Sequence, residues 1–533
     1  MSIIFRNARI VTATQELIDD SVLVVQKGII SYLGPYNDQV KKLEADAEIH
    51  DLQGRILGPG FVDGHMHLLL HGASIRKIGL EHCKTLEDIR AALKAGAAER
   101  PNVPRLFGRG YMQHMTPGEP TAAMLDGIDS RPIYINSKDL HSTWCNTAAM
   151  DELNVGDTPD PKGGTIHRDA DGQPTGLMSE AAAINIVWPH MNKITPYEEK
   201  LDQVHAAIKS YSSTGYTGLV ELATDDEIWS LMMKLHEEKA PIRMAAHWLV
   251  APSENLDDSL AQVDRAVELH KQYNLTSSPD CRIAGIKLIL DGIVDACTAA
   301  LSKPYTSNAA HPDTFWTAEH LRAVVRKADE AGLQCALHAI GDRAVTLAVD
   351  TLEACGSPGR RHRIEHLELT SPGDAARLGK LGITASIQPV HADPCVLRAW
   401  PTILGTERCG RAFAYKEFHD GGATIAIGTD APTAPTHPLQ NMYVATTRKS
   451  AREPEAGDLN AVNQNFALPL AVAMAGAAEG AAKSCFAEKR VGTLEVGKCA
   501  DFVVLGMEWN HERLLEAQVR ETWFGGRRVY KKS

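Results

Sequence analysis

The feature that most constrains this fold is a rhythm. Short apolar runs rich in β-branched residues recur through most of the chain, separated by stretches of helical periodicity. That alternation is the pattern of repeated βα units on a parallel sheet. The runs are Gly60 to His67, Thr217 to Leu222, Ile242 to Leu249, Ile283 to Leu290, Gln334 to His338, His362 to His366, Thr384 to Gln388 and Thr424 to Gly428. Eight such strands predict an α/β protein built on a (β/α)8 barrel.

The ends have another texture. Residues 1–58 contain short alternating strands punctuated by Gly28, Gly34-Pro35 and Gly54, and residues 491–533 contain two more strand-like runs. Chain termini often lie close together, so the two ends are expected to complete one small β domain, with residues 59–490 as the barrel. Residues 100–200 break the barrel rhythm and are crowded with Pro, Gly and Asp around Pro159 to Gly176. They are expected to be an insertion after the first barrel strand that covers the barrel mouth, because long connections in compact domains usually serve a function.

Composition excludes several classes of function. The net charge of -12 is spread along the chain and no basic run exceeds Lys531-Lys532, which argues against nucleic acid and anionic membrane as partners. The ten cysteines stand singly at irregular spacings, as in buried thiols rather than a disulfide scaffold or a zinc knuckle. Met1 to Ile10 reads as a strand rather than a signal peptide, and no apolar run reaches the roughly 20 residues of a membrane span. The expectation is a cytoplasmic enzyme acting on a small molecule; a homodimer is compatible with these features.

Candidate chemistry gathers at strand ends. In Pro59-Gly-Phe-Val-Asp-Gly-His-Met-His67, side chains two apart on a strand share a face, so His65 and His67 point together. His338 and His366 each close another strand, and Asp430 follows Ala426-Ile-Gly-Thr429 at the end of the eighth. In a barrel these ends converge on one face. Four imidazoles and a carboxylate there suit one or two divalent ions, Zn, Mn or Fe, with Zn favoured. Asp430 is also placed to handle the proton of a metal-activated water. His141 is the candidate for polarising the substrate from outside the barrel strands, and Arg109, Tyr111 and Trp144 are weaker candidates for lining the pocket.

Lys287, in Gly285-Ile-Lys-Leu-Ile-Leu-Asp-Gly292, falls on the fourth strand with inward parity, an unusual place for a lysine. Three readings stay open there. Its neutral amine could be carboxylated and bridge two ions as a carboxylate does, it could pair with Asp291, or it could contact substrate. By strand parity Glu365 should point away from the interior. Asp342 and Arg343 are expected to pair with each other, and His71, His114, His362 and His391 show no partner pattern.

Asp-Gly-His-Met-His67, Ile-Lys-Leu-Ile-Leu-Asp-Gly292, His338-Ala-Ile-Gly-Asp-Arg-Ala344, Arg363-Ile-Glu-His366 and Gly428-Thr-Asp-Ala-Pro432 follow one another in an order that resembles the amidohydrolase superfamily. More narrowly the chain is similar to the branch of YtcJ-like proteins and N-substituted formamide deformylases (amidohydrolase family 3). The segments Asp139 to Asn146, Gly163 to Arg168, Gly172 to Gly176 and Gly492 to Asp501 extend the resemblance over nearly the whole sequence. It implies a distorted TIM barrel with a composite β-sandwich domain, His65 and His67 on one ion, His338 and His366 on another, and a carbamate on Lys287 bridging them. Ile293 departs from the pattern, at a place where a small or polar residue is expected.

The function expected from these residues is hydrolysis of a non-peptide carbon–nitrogen bond, in an N-substituted amide or formamide, by metal-activated water. Deamination or opening of a cyclic amide on a heterocycle is the alternative, and a non-catalytic regulatory protein is a third reading. A serine hydrolase of the Gly-x-Ser-x-Gly type is disfavoured because that elbow is absent from the sequence.

Overall fold

A computed structural model describes residues 2–11, 16–112, 115–138, 140, 142–161, 164–434, 436–455 and 461–533. The chain divides into two compact units, residues 1–68 with 208–533, and residues 69–207.

The larger unit contains an eight-stranded sheet: β1 (Phe61–Met66), β2 (Tyr216–Thr224), β3 (Arg243–Leu249), β4 (Cys281–Ile289), β5 (Gln334–Ala339), β6 (Arg363–His366), β7 (Thr384–Ile387) and β8 (Thr424–Ile427). Each strand pairs in parallel with the next in sequence, from β1 through to β8. Helices Asp226–Glu237, Leu256–Gln272, Ala318–Glu330, Asp342–Cys355 and Pro372–Lys380 follow successive strands. Side chains of Asp225, Asn255, Thr317 and Ser371 cap four of them by accepting backbone N–H bonds that the first turn cannot use. Because helices cover its outer face, the sheet is buried on both sides, and β1, β6 and β7 are buried at every position. The result is the distorted (β/α)8 barrel that the sequence predicts.

Between β8 and β1, side chains and single backbone bonds replace a regular ladder. Asp430 N–H donates to the His65 carbonyl at 2.7 Å and His67 N–H to the Ala431 carbonyl at 3.1 Å. The two backbones run so close that a Cβ on Gly428 would lie 2.4 Å from the His65 nitrogen, so only glycine fits there. Buried Asp63 pins the seam with one carboxylate. It accepts from Thr429 N–H at 2.8 Å, Thr429 O–H at 2.6 Å, Tyr211 O–H at 2.9 Å and His65 N–H at 3.2 Å. Asp63→Ala would leave those donors in a dry interior without an acceptor. It should lower unfolding free energy by on the order of 3–5 kcal/mol in urea titrations, and a loss under about 1 kcal/mol would mean the seam is held by something else.

The same unit carries a second sheet that joins the chain ends. Its order is Arg527–Lys531, Gln518–Phe524, Phe502–Gly506, Ile56–Pro59, Ser2–Val11, Leu17–Gln26 and Ile29–Pro35, with Ala47–Asp51 pairing to Ser2–Val11. Phe5 lies edge-on to Phe502 and to Trp523, each at 4.9 Å between ring centres, so residues from both ends fill one core.

The smaller unit, 69–207, has its own six-stranded sheet in the order Gly164–Arg168, Pro174–Glu180, Ser142–Cys145, Ile133–Ser137, Leu106–Tyr111 and Ile78–Gly79. Its core includes Leu93, Leu106, Ile133, Ile135 and Trp144. Two of the residues considered for a substrate pocket are packing residues here. Trp144 is fully buried and donates Nε1–H to the Thr121 carbonyl at 2.9 Å, and Tyr111 is buried 5.5 Å from its ring. Arg109 pairs with Glu81. His141 lies outside the described residues. Among the described residues no helix is long and apolar enough to cross a membrane.

Candidate metal centre

His65 is the hub of the cluster. On one side its Nδ1 lies 2.7 Å from Glu365 Oε2; on the other its Nε2 lies 3.4 Å from Asp430 Oδ1. His67 Nε2 approaches the same oxygen at 3.1 Å. The His366 ring centre is 4.9 Å from that of His65 and 4.4 Å from that of His338. Lys287, only 2% exposed, stands in register between Leu249 of β3 and Ala336 of β5. The fold therefore brings together the residues His65, His67, Lys287, His338, His366 and Asp430.

Backbone geometry explains why strand parity misjudged β6. Glu365 reaches His65 on β1, and Arg363 Nη2 donates to the Gly64 carbonyl, also on β1. Strands β6 and β1 are not neighbours, so these contacts cross the barrel interior, and Glu365 points inward rather than away. His366 should then face out. It turns back into the site because the chain leaves the β region there, with φ of 76° at His366 and 53° at Leu367. Asp430 also has positive φ, 53°, at the end of β8. Arg363 donates Nε–H to Glu365 Oε1 at 2.5 Å and Nη2–H to Ser386 Oγ at 2.7 Å, so the carboxylate that orients His65 is itself fixed.

Other readings are corrected as well. Asp291 does not pair with Lys287. Its carboxylate accepts backbone N–H bonds from Ala300 at 3.0 Å, Ile340 at 3.0 Å and Gly341 at 2.8 Å, and lies 3.6 Å from His338 Nε2. Asp342 and Arg343 do not pair through their side chains: Asp342 accepts from Ser302, and Arg343 reaches Asp313 at 2.8 Å. His391 belongs to the cluster after all. Its ring stacks on His366 at 6.0 Å and 9°, with Nδ1 3.4 Å from Glu368 and Nε2 3.1 Å from Thr433 Oγ1. Glu221, fully buried within β2, was missed too. One of its oxygens accepts from Leu68 N–H, the other has no hydrogen-bond partner among the described residues, and burial raises the carboxyl to about 7. The available signal was a glutamate inside the apolar run Gly218-Leu-Val-Glu-Leu222.

The donor set fits a divalent cation. Burial, and next the charge of Lys287, push His338 down to about 3 and also lower His65, while burial and the neighbouring His338 and His65 lower His366 well below the usual imidazole range. These imidazoles are neutral and have lone pairs to give. Burial works to raise the Asp430 carboxyl, but positive charge on the adjoining His65 and His67 lowers it well below the ordinary range, the charge that a bound cation would supply in place of a proton. With Nδ1–H given to Glu365, His65 directs the lone pair of Nε2 at an Asp430 oxygen, and two acceptors at 3.4 Å call for a positive charge between them. His366 Nδ1 is buried without a hydrogen-bond partner among the described residues. His65, His67 and Asp430 form one group of closely spaced ligand atoms, and His366, Glu368 and His391 form another.

A parallel barrel with histidines and a carboxylate at its strand ends defines a class, the metal-dependent hydrolases of the TIM-barrel type. The amidohydrolase family model matches residues 48–530, and the chain belongs to that family. It is 29% identical to the putative amidohydrolase YtcJ of Bacillus subtilis over 100% of both chains. It is 24% identical to an N-substituted formamide deformylase of Arthrobacter pascens, covering 99% of this chain and 97% of the relative. The crystal structure of an uncharacterized metal-dependent hydrolase from Pyrococcus horikoshii OT3 superposes with a TM-score of 0.78 at 26% identity, over 95% of this chain and 98% of that one.

Glu365 offers a test of the support around His65. Glu365→Gln keeps the shape but removes the charge that accepts from His65 Nδ1 and Arg363. Outer contacts of this kind typically carry about 10–100-fold in metal affinity. A chelator-competition titration should show a weakening of that size; an unchanged affinity would mean that His65 does not hold the ion.

Proposed function

We propose that this chain hydrolyses a non-peptide carbon–nitrogen bond, in an N-substituted amide or formamide, at one or two divalent ions, Zn foremost. His65, His67 and Asp430 would hold one ion, and His338 and His366, with a carboxylated Lys287, the other. The observation that carries this reading is the approach of His65 Nε2 and His67 Nε2 to one Asp430 oxygen, backed by the Glu365 anchor. When bound, the ion supplies Lewis acidity, lowering the pKa of water and polarising a carbonyl.

The chain's own residues supply the rest. Asp430 presents an ionised carboxylate, with Oδ1 towards His65 and His67 and Oδ2 3.7 Å from His391 Nε2, so it can accept the proton of the attacking water and return it to the leaving nitrogen. The carbonyl of Gly292 lies 3.4 Å from His338 Nε2, and Ile293, beside it, is partly exposed. An apolar residue thus follows directly on a carbonyl at the centre, which supports a leaving group with an apolar substituent. The name of the Arthrobacter relative supports the formamide class.

The test is a screen of N-formyl, N-acyl and cyclic amides with the Zn-loaded protein, separating released amine from ammonia. Amine with formate or another carboxylate is the expected product. Ammonia from heterocycles alone would redirect the reading to deamination, and turnover of none of these classes would overturn it.

A further inference from the structure

The smaller unit contains a serine, a histidine and a glutamate in hydrogen-bond contact, none of them among the proposed metal ligands. His167 Nδ1 lies 2.9 Å from Glu119 Oε2, and His167 Nε2 lies 2.9 Å from Ser179 Oγ. We propose that Ser179, His167 and Glu119 form a metal-independent nucleophilic site that accepts acyl groups from small esters.

The order of the contacts sets the tautomer. Glu119 can only accept, so it takes Nδ1–H and leaves a lone pair on Nε2 facing the Ser179 hydroxyl. A base placed between an orienting carboxylate and a hydroxyl is the arrangement that activates serine. The strands deliver this geometry. Thr165 pairs with Ser179 across an antiparallel ladder, and His167 is two residues further along the same face. A register shift between Ile166 and Arg168 re-aims His167, whose carbonyl accepts from Thr175 Oγ1 at 3.1 Å. After Ser179 the chain passes through Glu180, with φ of 53°, straight into helical backbone at Ala181. That strand–turn–helix setting resembles the one used by exposed serine nucleophiles, although the glycine signature sought in the sequence is missing. The three residues are reachable from outside: the side chains of His167 and Glu119 are 25% and 47% exposed, and Ser179 is partly exposed.

The chemistry balances with an ester and water alone. Ser179 Oγ bonds to the acyl carbon while its proton passes to His167 Nε2. The ester C–O bond then breaks, and the alkoxide leaves with that proton. Water next attacks the acyl-serine, giving a proton to His167 that returns to Oγ, and the carboxylic acid departs.

The experiment treats the intact metal-loaded protein with p-nitrophenyl acetate and with a fluorophosphonate probe, mapping adducts by peptide mass spectrometry. Expected are an adduct on Ser179, its loss in Ser179→Ala, and at least a tenfold slower reaction in His167→Gln and in Glu119→Gln. Circular dichroism and thermal unfolding should match the parent in all three variants, reporting that they fold, and His338→Ala should label normally. A parent protein with no adduct on Ser179, or labelling undiminished in His167→Gln, would overturn the proposal.

Discussion

His338→Ala should lower divalent-metal affinity by at least ~100-fold and turnover by more than ~1000-fold, without unfolding the barrel. His338 sits at the end of β5, 4.4 Å from the His366 ring and 3.6 Å from an Asp291 carboxylate that three backbone amides already hold. Removing its imidazole would delete a proposed ligand but leave Asp291 satisfied, so the surroundings should survive. Metal content after dialysis, measured beside circular dichroism, separates loss of the ion from loss of fold. A His338→Ala protein with full metal content and activity would exclude this residue from the centre. His65→Ala should lose metal as well, but it also frees the Glu365–Arg363 pair in a fully buried setting, so its fall in thermal stability should be larger.

Lys287→Ala should abolish binding of the second ion and most activity, and short carboxylic acids should restore part of both. Lys287 is buried on β4, and no described residue offers its amine a hydrogen bond or an ion pair. Burial brings the amine down to about 8, against the opposing charges of Glu365 and Asp430, so a useful fraction is neutral near pH 7 to 8. A neutral amine can add carbon dioxide, and the carbamate would turn a misplaced cation into an anionic bridge. Two equivalents of metal in bicarbonate-grown protein, a mass increase on Lys287 and acid rescue of Lys287→Ala all follow from this. A single equivalent of metal, an unmodified amine and no rescue would instead leave a one-ion enzyme in which Lys287 contacts substrate.

The parts of this protein that were legible in its sequence obey local rules. Continuous apolar, β-branched runs marked the barrel strands and period-3.6 patterning the helices, because a strand covered on both faces buries every side chain whereas a helix buries one stripe. His65 and His67 were readable because alternation on β1 forces residues two apart onto one face. Parity failed at Glu365, which faces inward across the barrel, and at His366, where it and Leu367 are two consecutive left-handed residues that end the alternation. His391 and Glu368 carried no local pattern, because a stack on His366 exists only after strands distant in sequence are brought together. Asp63 reads in sequence as one more residue of a histidine motif, and the closed barrel makes it the acceptor that ties the first strand to the last. The sequence by itself therefore determined which strands form and which ligand types end them. The tertiary structure decided which side chains meet, since contacts between non-adjacent strands depend on barrel closure and on backbone turns that no spacing rule encodes.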